Sequence, residues 1–519
     1  MTRSSRVAPL RALRPPAFFS RPRGIFVVTF ALAFFATAVW SLATPLFAGS
    51  DEPAHVARAA ALWSGQLAGT PLKSHAVYKS DAWTLVEVPR VYYDSPNCLF
   101  HAALPASCEH VSHSRVVITA PIYVGHYPPL YYLFVGLPTA LTTSTASIYL
   151  MRLVGDLMSS IFIALAVMTV FRWSRRRFLF LGVLLALTPT TFYFISVINP
   201  NGLEISSALC LWCSGSVLAL ERSGHPPRGL VVVMTTSASV LLLTRQLSPL
   251  WVALTFLTLA LVAEPGAIVL LLRRRDLQVA GLVVIGVTLV AVAWTLTQHS
   301  LAFPRNGPQV TPTEGNVFIL REIFGNTGNL LRQMVGVFGW GESSAPLFTN
   351  LVWGIGIGAL LLLAFVASPV RRAVVLALLA MLVILVPLVI QFSQARSIGL
   401  FIWGGRYTLP LAMGVPLLAA ILVDRSGILA RAQFRMGACI AVTVGSASFL
   451  AFAEVLRRYA VGESGPLDYL HGAWRPPFGA LSLTIIYLLV TLLFAGLLWY
   501  LATHELPSDR SEALPHPTQ

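Results

Sequence analysis

Apolar runs of roughly twenty residues, each ended by a short polar or arginine-rich break, recur along the chain. A run of that length, coiled as a helix, crosses a hydrocarbon core about 30 Å thick. The first extends from Gly24 to Phe47. Eleven more are predicted near 148–171, 178–196, 202–221, 229–245, 249–270, 278–297, 350–369, 373–391, 407–423, 434–453 and 479–502. The expected fold class is therefore all-α: a polytopic transmembrane bundle of about twelve spans. One further segment, HYPPLYYLFVGLPTALTTST at 126–145, is apolar enough to compete. Counting it as a span would turn the next helix over and export RWSRRR at 172–177, against the positive-inside rule. Its prolines and tyrosines instead predict an interfacial helix at headgroup level.

This alternation divides the chain. A basic tail at 1–23 and a C-terminal tail at 503–519 are expected in the cytoplasm, flanking a membrane domain at 24–502. Three outer loops carry most of the extramembrane mass: 48–147, 298–349 and 454–478. The second contains an amphipathic stretch, REIFGNTGNLLRQMVGVFGWGES. The implied location is the cytoplasmic membrane, crossed many times, with both termini inside.

Composition agrees with the pattern. The 519 residues are 56% hydrophobic and only 11% charged, with mean hydropathy +0.73. That leaves too little charge to cover a soluble protein. The net charge of +15 comes from 34 Arg and 2 Lys. Its densest runs, RWSRRR and the RRR at 273–275, fall on the assigned inner side, so the excess reads as a topology signal and excludes nucleic acid as a partner. Cys210, Cys213 and Cys439 lie in apolar runs as small core residues. Cys98 and Cys108 sit in the first outer loop, where an oxidising exterior would let them form a disulfide.

Few spans hold an ionisable group, since a charge at mid-bilayer costs about 3 kcal/mol or more. Arg152 and Asp156, four apart, are expected to pair on one helix face. Glu204 is expected to face the outer surface, and Glu264 to be structural at an inner helix end. Asp51, Glu52, His55, His126, Tyr127, Asn199, Asn201, Arg245, Arg396, Arg406 and Tyr407 are all expected to collect at outer helix ends. Transporters concentrate coupling residues near the midplane instead. An outer interfacial cluster of acids, arginines and aromatics suits a substrate with a lipid tail and an anionic head.

The stretch GSDEPAH at 49–55 is the sharpest feature. Ser50 or Asp51 is expected to cap a helix starting near Pro53, with proline in its first turn. Capping explains one acid, not two. Asp51 and Glu52 lie four and three residues before His55, which places each beside the imidazole on a helix face. A carboxylate beside a histidine is a general base or half of a metal site. Either acid can be the base, the other orienting it or holding a cation.

Placed in a long outer loop after the first span, this acid pair resembles the GT-C superfamily of membrane glycosyltransferases. The following HYPPLYY and the Arg-bearing MRLVGDL of the second span are similar to protein mannosyltransferases and aminoarabinose transferases. Taken with INPNG at 198–202, GVFGW at 336–340 and GGRYTLPL at 404–411, the pattern resembles a large bacterial family of predicted membrane proteins of unknown function over about residues 25–500. The resemblance implies an inverting transferase that moves a sugar from a polyprenyl-phosphate donor to a cell-envelope glycan or protein at the outer face. The family's acid pair maps onto Asp51 and Glu52, with Asp51 favoured as base and His55 beside it. A phosphate leaving group needs cations, and Arg406 and Arg245 are the outer-facing candidates. His126, Tyr127, Tyr407, Asn199 and Trp340 are the expected substrate contacts, the aromatic ones stacking on sugar or anchoring at the interface. No cofactor is required, and a divalent metal can take part without being needed, since Arg can neutralise a single phosphate. Aminoarabinose transferases carry Lys where this chain has Tyr127, which puts a phosphate role there in doubt. The competing readings are a transporter or flippase, and a polymerase or ligase, for lipid-linked surface glycans.

Overall fold

The computed structural model describes residues 21–72, 82–222, 226–302, 315–398, 401–429 and 432–504. The tail 1–23, apart from its last three residues, and 505–519 of the C-terminal tail lie outside them. Nine helices among the described residues are long and apolar enough to cross a membrane, or ten if one bent pair is a single span. The architecture is all-α and polytopic. Of the twelve expected spans, three differ in form. The run at 178–196 is two helices, Leu179–Ala186 and Pro189–Ser196, bent by 60°. Thr188 accepts a hydrogen bond from the Thr191 amide and Pro189 opens the new helix, so the sequence restarts a helix there. The runs at 229–245 and 249–270 give 15-residue helices, Arg228–Leu242 and Ser248–Val262. The second ends before Pro265, which starts another short helix.

The helix Asn201–Glu221 occupies the centre, with 94% of its apolar window buried, while Arg275–Thr297 and Leu347–Ala367 are only 17% buried and lie at the periphery. Trp40, near the end of the first helix Pro22–Ala43, knots the bundle together. Its indole meets Tyr193, Phe338, Phe452 and Tyr487 at ring distances of 5.1–5.9 Å, mostly edge-on. Edge-on packing suits the aromatic quadrupole.

Two small sheets interrupt the helical pattern. In the first loop, Thr84–Pro89 pairs antiparallel with both Thr70–Pro71 and Val117–Ile122. The alternation of TLVEVP, buried on one side and open on the other, is the strand period. Val337–Phe338 and Ser343–Ser344 form a second hairpin. The 126–145 segment is a short helix, Leu130–Val135, and a 3₁₀ turn, Leu137–Ala140. The amphipathic stretch is the helix Asn316–Gly336.

Candidate functional site: an acid–arginine cluster at one end of the bundle

The two adjacent acids face opposite ways because of one backbone angle. Asp51 has φ 64°, a left-handed conformation that Asp tolerates better than most residues. It immediately precedes the helix Glu52–Trp63 but makes no side-chain cap, and neither Ser50 nor Asp51 caps the helix as expected. Ser50 donates instead to the Gly339 carbonyl. Glu52 points inward and is fully buried. It takes two hydrogen bonds of 2.7 Å from Arg152, and the Ile198 amide donates to it at 3.0 Å. Arg152 does not pair with Asp156. Its remaining N–H groups go to the carbonyls of Ser41, Thr44 and Pro45, so all five donors of the guanidinium are used. Asp156 accepts from Ser41 instead. Helix spacing made Asp156 the local partner, but Glu52, a hundred residues away, offers two oxygens in fork geometry.

Asp51 points toward the cluster, and its side chain is 20% exposed. Arg406 binds one carboxylate oxygen and the Tyr123 hydroxyl donates to the other. Burial alone would raise the Asp51 pKa, but Arg406, His55, Tyr123 and Arg245 outweigh it and hold the carboxyl below its usual range. Tyr123 follows the strand Val117–Ile122. Its hydroxyl is pushed well above the usual phenol range by burial and by Asp51, so it stays protonated and donates. Nothing in the sequence singled out Tyr123, because its position depends on strand pairing.

Arg406 is delivered by GGRY. A Cβ at Gly405 would collide with the Leu330 carbonyl and lie 2.8 Å from the Gln333 Cβ, so only glycine lets this turn pack on the helix Asn316–Gly336. The Gly405 amide donates to Gln333 at 2.8 Å and fixes the turn. Arg406 donates to the Tyr407 hydroxyl at 2.8 Å and lies over the rings of Phe194 (5.0 Å) and Tyr407 (4.8 Å). Arg245 lies over the same Tyr407 ring at 4.7 Å and near Tyr127 at 5.7 Å. Its counter-ion is Glu204, 3.4 Å away. Glu204 is buried rather than facing an outer surface, and it also accepts from Ser248. Glu264, by contrast, pairs with Arg371 and Arg372.

The other expected residues have varied places. His55 is buried, and its Nδ1 lies 2.8 Å from the Tyr132 hydroxyl. Burial drives its pKa down to about 3, although Asp51 pulls the other way, so the ring is neutral near pH 7. Asn199 braces the acid turn from behind, donating to the Ser50 carbonyl at 3.0 Å. His126 contributes its carbonyl, which accepts from Trp294 and Ser300. Trp340 stacks edge-on with Phe100 at 5.1 Å. It lines a cavity of about 240 Å³ with Ser50, Gln333, Trp403, Arg406 and Tyr407. Cys98 and Cys108 form a disulfide in the first loop. Phe100, inside that clip, is the contact to Trp340. Among the described residues no three His, Cys, Asp or Glu side chains group as metal ligands.

The fold and this cluster define a multi-pass, all-α membrane protein with an acid–arginine site at one end of its bundle. Residues 34–415 match the family described as predicted membrane protein, DUF2142, and the chain belongs to that family. A search of curated proteins returns no match. Among solved structures, the chain is similar to ArnT from Cupriavidus metallidurans bound to undecaprenyl phosphate, at 16% identity and TM-score 0.44, covering 92% of this chain and 77% of that one. The apo form of the same protein gives TM-score 0.41 at the same identity and coverage. At that distance neither likeness bears on activity or substrate.

Proposed function

We propose that the protein is an inverting GT-C-type glycosyltransferase using a polyprenyl-phosphate sugar at the outer face of the cytoplasmic membrane. One observation carries the reading: of the two neighbouring acids, Glu52 is sealed under Arg152, while Asp51 stays partly open against Arg406. An acid beside a cation is what transfer from a lipid phosphate requires. Asp51 takes the proton of the acceptor hydroxyl as its oxygen bonds to the anomeric carbon. The bond from that carbon to the phosphate oxygen breaks, its electron pair leaves with the lipid phosphate, and one displacement inverts the centre. Arg406 and Arg245 hold the phosphate; Trp340, Tyr127 and Tyr407 line the sugar's approach; Asn199 and the neutral His55 hold the turn.

A carboxylate paired with Arg406 is a weak base. A donor phosphate competes for that guanidinium, and each hydrogen bond it takes from Arg406 raises the basicity of Asp51. The base is thus strengthened when donor is bound. The residues a transport path would use are committed elsewhere: Asp156 to Ser41, and Glu204 to Arg245 and Ser248.

The test is purified protein offered a panel of radiolabelled polyprenyl-phosphate sugars and envelope acceptors. Asp51→Asn is expected to fold, to bind donor and to lose transfer by ~10²–10⁴-fold, the usual worth of a general base. Full transfer by that variant refutes the assignment.

A further inference from the structure

A second site lies at the other end of the bundle. The helix Arg275–Thr297 finishes at the acid–arginine cluster, because Trp294 and Ser300 both donate to the His126 carbonyl. At 1.5 Å per residue its beginning is about 35 Å away, one membrane thickness. There it packs against Arg228–Leu242, and both helices start at the same end. Between them runs a groove of about 720 Å³. Arg228, Arg274 and Arg275 line its mouth, and Asp276 is the one acid among the lining residues. That acid is bonded to Arg274 at 3.3 Å, so the mouth keeps a surplus of positive charge. Below the mouth the lining turns apolar. Val232, Val279 and Val283 are 62%, 53% and 45% exposed, at the periphery of the bundle.

We propose that this groove binds an anionic phospholipid of the opposite leaflet, its phosphate among the arginines and an acyl chain along the valines. The charge of the mouth matches an anionic head, and only a lipid presents that head with an apolar tail running parallel to both helices. A zwitterionic lipid would gain the apolar contact without the electrostatic preference. Basic pockets between spans at a membrane surface recognise lipid heads in this manner, at roughly fivefold in affinity for each arginine. The site is separate from the sugar-transfer cluster and does not depend on what that cluster does.

Native mass spectrometry of the full chain in detergent, titrated with phosphatidylglycerol or phosphatidylcholine, tests it. Phosphatidylglycerol is expected to be retained in preference to phosphatidylcholine. The Arg228→Gln/Arg275→Gln double variant is expected to lose that preference by about 25-fold. Arg435→Gln is the control. It removes an exposed charge from the start of Gln433–Val461, whose far end meets the first loop beside Ala103, so it lies at the same face as the groove. It is expected to change nothing. Equal retention of the two lipids overturns the proposal, as does an equal loss in the control. Displacement of phosphatidylglycerol from the groove by an equal amount of undecaprenyl phosphate overturns it too, by making the groove a donor site.

Discussion

Replacing Glu52 by Gln separates the two acids by role. The side chain keeps its shape, but its charge goes, and an amide N–H₂ replaces one of two oxygens that accept from Arg152 and the Ile198 amide. Arg152 is left fully buried without a counter-ion. Removing one partner of such a pair costs about 3–5 kcal/mol. Asp51→Asn breaks a partly exposed contact, which costs on the order of 1 kcal/mol. The assay is thermal unfolding in one detergent at one scan rate, followed by tryptophan fluorescence. Glu52→Gln is expected to lower the midpoint several times further than Asp51→Asn. Adding Arg152→Met to Glu52→Gln is expected to recover part of the loss, because the stranded charge is gone. If Glu52→Gln unfolds no earlier than Asp51→Asn, the claim that Glu52 is structural is refuted.

Acid should destabilise the fold. The unfolded chain protonates His55 below about pH 6.5, the folded chain only below about pH 3. Between these values the unfolded state binds more protons, so stability falls with pH by up to about 1.4 kcal/mol per unit; His55→Gln should flatten that slope in a pH series of unfolding midpoints. The lowered Asp51 pKa acts in the same direction at more acid pH. Gly405→Ala should displace the Arg406 turn from the helix Asn316–Gly336, at about 1–3 kcal/mol of overpacking strain, and a fall in donor affinity with unchanged acceptor affinity would report it. Replacing Cys98 and Cys108 by Ser should loosen the 98–108 clip by up to ~3 kcal/mol, visible as faster hydrogen exchange confined to that loop and its Phe100–Trp340 contact.

The spans were legible because burial in lipid writes a long apolar signature that no other environment requires. Their breaks were partly legible as well. Thr188-Pro189 and Glu264-Pro265 carry helix-start chemistry inside runs that hydropathy alone joins. The strand Thr84–Pro89 was hidden by length, since six alternating residues leave a faint trace in a loop of a hundred. The site was legible as a set of residues but not as a wiring diagram. Asp51, Arg406, Arg245 and Tyr407 do meet. Yet the partner of Arg152 was assigned by helix spacing, when two ends of a bundle helix touch residues far away in sequence. The direction of each acid hung on one positive φ at Asp51, and no neighbour in the sequence dictates that angle.

The saturated Arg152 also sets a timetable for biosynthesis. Glu52 leaves the ribosome a hundred residues before the arginine that neutralises it, and Asp51 precedes Arg406 by 355 residues. The acid pair is therefore synthesised before either of its cations. The helix Thr145–Trp173 carries the cation of Glu52, while that of Asp51 follows most of the later helices in the chain. A chain that stops before residue 406 lacks the cation of Asp51 however well its earlier helices are inserted, so the cluster can assemble only once synthesis has passed the GGRY turn.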